Sequence, residues 1–164
     1  MRISPKYLLV AVLALACAWK AQAQEDVWTR VKEVNFPKQS LQASWQRIYK
    51  SPMLQDAMES EGKVALTQPD QVRWETLKPV QYLTVLDGTQ RGRFRLPTEK
   101  DFKVSVLEGD QYTIQLEPVR RDLKQLVGQI ALTVEKKTYK LLYVTILGVE
   151  GDWTQITFTN VVME

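Results

Sequence analysis

Apolar and polar side chains alternate over most of this 164-residue chain, and the alternation is densest between Glu61 and Gly88. Successive side chains of an extended strand point to opposite faces, so a period of two marks a strand with one face turned inward. Lys63 to Thr67 puts Val64 and Leu66 on one side. Gln68-Pro69-Asp70-Gln71 then turns the chain, because proline presets φ for the second turn position and Asp70 can bond nearby backbone. Val72, Trp74 and Thr76 alternate with Arg73, Glu75 and Leu77 in a second strand. Lys78-Pro79 makes the next corner, and Gln81 to Leu86 is a third strand ended by Asp87-Gly88. Three strands in so short a stretch, with no helix between them, are antiparallel.

The same period extends the sheet both ways. Ser40 to Lys50 is a long strand with Leu41, Ala43, Trp45, Arg47 and Tyr49 on one side, broken by Ser51-Pro52. Met53 to Ser60 either forms a loose turn or begins the return strand. Asp101 to Leu107 and Gln111 to Glu117 form a hairpin about Glu108-Gly109-Asp110, and Pro118 to Leu126 is too short and polar for more than a helical turn. Val127 to Val134, Tyr139 to Leu147 and Trp153 to Val162 close the chain, the last with Ile156, Phe158 and Asn160 on one face. The expectation is about nine strands in one continuous meander. The period changes only at Glu25 to Asn35, where Val27, Trp28, Val31 and Val34 recur at helical spacing ahead of a stop at Phe36-Pro37. That stripe packs on the sheet, and Trp28 is also placed to line a cavity.

The N-terminus reads as a secretory signal over residues 1–23. Arg2 and Lys6 precede an apolar run from Leu8 to Trp19, and Ala21-Gln22-Ala23 offers a cleavage site, leaving a domain of residues 24–164. The run is shorter than the ~20 residues a spanning helix needs. Ala14-Leu15-Ala16-Cys17 is a loose match to a bacterial lipoprotein box, so cleavage before Cys17, leaving a lipid anchor, is the other possibility. Losing Arg2, Lys6 and Lys20 brings the 22 basic residues level with the 19 acidic ones. A neutral exported domain lacks the electrostatic footprint of a nucleic-acid binder. Cys17 is the only cysteine and there is no histidine, so a disulfide, a Cys-His zinc site and a His-activated nucleophile are all excluded once the signal is removed. No clustered carboxylates or phosphate-binding glycine loop stand out, and the reading is of a protein that is not an enzyme and needs no cofactor.

Nine antiparallel strands accumulate twist and must curl. One short helix cannot shield a face carrying Trp45, Val64, Leu66, Val72, Trp74, Val85 and Ile114. Two outcomes stand open: a half-open barrel with an unfilled apolar concavity, or a closed, dry core built from the same residues. Arg91, Arg93 and Arg95 around Phe94 are either a solvated connector or a dock for an anionic headgroup or acidic partner.

One family matches these features in order. Gly62-Lys63-Val64-Ala65-Leu66, Pro69, Val72-Arg73-Trp74-Glu75-Thr76, Pro79 and Val85-Leu86-Asp87-Gly88 resemble the central run of LolA-type lipoprotein carriers. Leu41-Gln42-Ala43-Ser44-Trp45-Gln46 resembles that family's first strand, and Gly151 to Val161 its last. The resemblance implies an incomplete antiparallel β-barrel with an N-terminal α-helix, mainly β. It implies a monomeric periplasmic carrier of a lipoprotein or glycolipid cargo, passing it from an inner-membrane exporter to an outer-membrane acceptor. The alternative is a cell-envelope interaction protein that keeps the fold without cargo. Trp45, Leu66, Val72 and Trp74 are the expected acyl-chain contacts. Gln68 stands where the family carries a lid-locking arginine, and only Thr89 to Lys100 stands where lid helices usually follow, so that switch does not carry over.

Overall fold

The alternating segments form strands of one antiparallel sheet in a computed structural model that describes residues 22–36, 38–67, 71–87 and 99–164. Helix α1 spans residues 22–35. Strands β1 (Ser40–Lys50), β2 (Met58–Thr67), β3 (Gln71–Lys78) and β4 (Tyr82–Asp87) follow. A 3-10 turn at Glu99–Asp101 leads into β5 (Phe102–Glu108) and β6 (Tyr112–Pro118), and a single helical turn, α2 (Arg121–Lys124), precedes β7 (Val127–Val134), β8 (Leu141–Gly148) and β9 (Trp153–Met163). No helix among the described residues is long and apolar enough to cross a membrane. Most of the expected signal segment, Cys17, Gln68 and the arginines of 91–95 lie outside the described residues.

The strand order β4-β3-β2-β1-β9-β8-β7-β6-β5 corrects the expected continuous meander. There are two meanders, β1 to β4 and β5 to β9, fused where β1 pairs with β9. β4 and β5 end up at opposite edges, and the sheet stays unclosed. Alternation could not show this, because it fixes which face a residue occupies and not which strand lies alongside.

Direct cross-strand partners share a face. Arg47 pairs with Ile156, Ile156 with Val144, Val144 with Leu132, Leu132 with Ile114 and Ile114 with Val106, so one inner face runs through both meanders. Val85 is not on it. It pairs with Arg73, on the outer face, and is 61% exposed. The alternative left open for Met53 to Ser60 resolves as a tight turn at Ser51, where the Leu54 N–H donates to the Ser51 carbonyl, followed by β2 from Met58. Tyr139 is not strand: it has positive φ (58°) and β8 begins at Leu141. Asn160 also has positive φ (51°), next to a register shift between β1 and β9, so the alternation running through Ile156 and Phe158 does not continue to it.

Candidate functional site

Two apolar clusters divide the inner face. In the first, α1 lays Trp28 and Val31 on Val106, Ile114 and Val134, with Ile114 and Val134 fully buried. This is the stripe expected from helical spacing, docked on the C-terminal meander. Its dock is fixed at both ends. Asn35 donates to the Tyr139 carbonyl (2.7 Å) and accepts from the Leu141 N–H (2.8 Å), so one amide pairs with the β7–β8 turn as a strand would. At the other end, the Trp28 indole N–H donates to Glu99 (2.8 Å), which also pairs with Lys32 at 2.8 Å.

Lys32 first, then Trp28, hold the Glu99 carboxyl below its ordinary 4.5. A carboxylate whose folded pKa is depressed stabilises the fold above its unfolded pKa, and that contribution is lost as pH falls through the folded value. The tether is therefore intact at neutral pH and released by acid. Tryptophan emission recorded from pH 7 down through the carboxylate range is expected to show a step in the native protein that Glu99→Gln lacks. Superimposable curves would contradict the tether.

The second cluster belongs to the N-terminal meander and its junction with β9. Ala43, Trp45 and Val64 are buried, with Leu41, Val72, Trp74, Ile156 and Phe158 against them. Trp45 stacks on Trp74 with ring centroids 4.7 Å apart, and Phe158 meets Trp74 edge-on at 6.5 Å. None of the described residues of α1 belongs to this cluster. Leu41, Leu66, Val72, Trp74, Leu86, Ile156 and Phe158 are all only half-buried although they face inward.

The four residues expected to touch cargo come together here. Trp45 and Trp74 are stacked, Val72 packs on the same cluster, and Leu66 lies between Leu41 and Val72 as the cross-strand partner of each. Sequence reasoning missed Ile156 and Phe158 as neighbours, because a continuous meander sets β9 far from β1. The polar end of this face was also missed: Ser60 and Thr76 are buried, and Arg47 donates to the Ser60 hydroxyl at 2.9 Å.

Two cavities of about 370 and 510 Å³ open where outward-facing charges gather, around Lys63, Arg73 and Glu75 in one and Glu59, Glu61 and Lys78 in the other. Among the described residues no group of acids, cysteines or histidines could hold a metal ion.

Residues 38–94 match the family model described as "Outer membrane lipoprotein carrier protein LolA". The match falls on β1 to β4, the meander that carries most of the second, tryptophan-rich cluster. Among solved structures, a LolA superfamily protein from Nitrosomonas europaea is 10% identical, with a TM-score of 0.48, over 86% of this chain and 93% of that one. A putative outer membrane lipoprotein-sorting protein domain from Vibrio parahaemolyticus is 8% identical, with a TM-score of 0.47, over 88% and 93%. The MucA/MucB complex of Pseudomonas aeruginosa gives 14% identity and a TM-score of 0.44 over 84% of this chain and 56% of the matched one. No curated protein matches the chain.

Proposed function

We propose that the chain, whose residues 38–94 match the LolA family model, is a divergent LolA-like periplasmic carrier whose inner face binds acyl chains. The cargo is a lipoprotein or a related lipid, ferried from the inner to the outer membrane. One observation carries this reading: α1 seals the inner face over β5 to β8, while on the same face Leu66, Val72, Trp74 and Phe158, packed around the buried Trp45, are left half-exposed. An alkyl chain laid there removes apolar surface from water on both partners. At about 0.8 kcal/mol per buried CH₂, ten methylenes contribute roughly 8 kcal/mol before association costs are subtracted. No chemistry is required of the protein. The secretory reading of residues 1–23 supports export, and release before Cys17 would instead tether the carrier to a membrane.

Binding of the neutral apolar dye N-phenylnaphthylamine to the purified protein tests the proposal. Enhanced emission that lipid reverses is expected, and a silent dye would favour the alternative of an envelope interaction protein with no cargo. Trp74→Asp puts a carboxylate in the middle of the cluster. It is expected to reduce dye affinity at least tenfold while secretion continues, and unchanged affinity would move the site elsewhere.

A further inference from the structure

The inner face of the N-terminal meander changes polarity along its strands, always in the same direction. Leu41, Leu66 and Val72 stand in register at one end, and Arg47, Ser60 and Thr76 lie toward the other. On the inward rows of β1, β2 and β9, Arg47 is the only charged residue. A lone cation on an apolar wall is costly unless it finds an anion. Arg47 finds none: its Nε–H bonds Ser60, its guanidinium lies 6.0 Å from the Trp45 ring centroid, and no carboxylate among the described residues pairs with it. Half-buried, Arg47 thus has four of its five N–H donors without a protein partner among the described residues.

Beside it, two buried polar atoms also lack a hydrogen-bond partner among the described residues. They are Trp45 Nε1 and Thr76 Oγ1, each on a side chain only 1% exposed. Gly62 lies directly between them, paired with Trp45 on one side and Thr76 on the other. Buried polar groups are almost always satisfied, so two orphans in one row next to an unpaired arginine call for a missing acceptor. An arginine fork, an indole N–H and a hydroxyl together suit the oxygens of a phosphate or carboxylate.

We propose that this polar end receives the oxyanion of an acyl lipid whose hydrocarbon lies toward Leu41, Leu66 and Val72. The inference rests on the acyl-chain reading above and narrows it to amphiphiles with an anionic head.

Competition against bound N-phenylnaphthylamine by chain-matched pairs tests it: palmitate against methyl palmitate, and dipalmitoyl phosphatidic acid against dipalmitoylglycerol. The anionic member of at least one pair is expected to displace the dye at roughly tenfold lower concentration or less, the scale of a hydrogen bond to a charged group. A preference confined to one pair identifies the oxyanion as carboxylate or phosphate. Arg47→Met keeps the aliphatic stem and is expected to abolish the preference while neutral lipids still compete. Thr76→Val removes the orphan hydroxyl, so it is expected to leave the melting temperature equal or higher while reducing the preference. Equal displacement by both members of both pairs, or a preference that survives Arg47→Met, overturns the headgroup site and leaves the acyl-chain reading standing. Absence of any dye uptake overturns the acyl-chain reading itself.

Discussion

Gly62→Ala is expected to destabilise the protein by about 3 kcal/mol or more, the upper end of what overpacking costs. A Cβ at Gly62 would lie 1.9 Å from the Glu75 carbonyl oxygen and 2.7 Å from Trp45 Cζ2. The first is backbone, held in the β2–β3 ladder at the bulge between Glu61 and Gly62, and cannot swing aside as a side chain can. The second belongs to an indole that is itself stacked on Trp74. Relief therefore means breaking the ladder or unstacking the tryptophans. For a domain of this size the loss corresponds to a melting temperature lower by about 10 °C. A variant that melts within 2 °C of the native protein would show that β2 and β3 do not approach so closely.

The second large effect is expected at Val31→Asp. Val31 is 1% exposed and faces Ile114 and Val134, where a carboxylate has no partner. Burying an unpaired charge costs several kcal/mol even after relaxation. The cheaper response is for α1 to leave the sheet, since Asn35, Lys32 and Trp28 attach it through a handful of contacts rather than through a ladder. Hydrogen exchange is expected to show residues 22–35 losing protection while the β1–β9 junction keeps it. Dye uptake should rise as the apolar face over β5 to β8 is exposed. Protection of the helix unchanged from the native protein would mean that the stripe is not what holds it.

How far the chain could be read follows from these two sites. Strand positions were legible because one face of each strand is inward, and the period of two survives even in β9 as far as Phe158. Ser40–Lys50 and Val127–Val134 emerge with the bounds the pattern gave them. That Trp45, Leu66, Val72 and Trp74 share one inward face was legible for the same reason, since they are the bulky inward positions of consecutive strands. Their neighbours were not. Phe158 lies opposite Trp45 only because the two meanders join through β1 and β9, a pairing between residues more than a hundred positions apart that no local period encodes. Val85 was misplaced because β4 meets β3 with Leu86 opposite Val72, which turns Tyr82, Thr84 and Leu86 inward. Asn35 and Glu99 gave no signal at all, since a single amide and a single acid act on partners distant in sequence. Ser60 fell in the segment where turn and strand were both open, and with it went the polar end of the inner face.

Among the described residues the sheet ends at β4 and at β5 with no strand beyond either, and that has a mechanical consequence. A sealed barrel has its calibre set by strand number and stagger, and any change of girth tears hydrogen bonds. Here the two lips meet no such constraint, so the trough can splay or tighten by altering twist alone while every ladder from β4 round to β5 stays whole. On the proposed carrier reading, a wall of that kind takes thin or bulky guests without unfolding any part of itself.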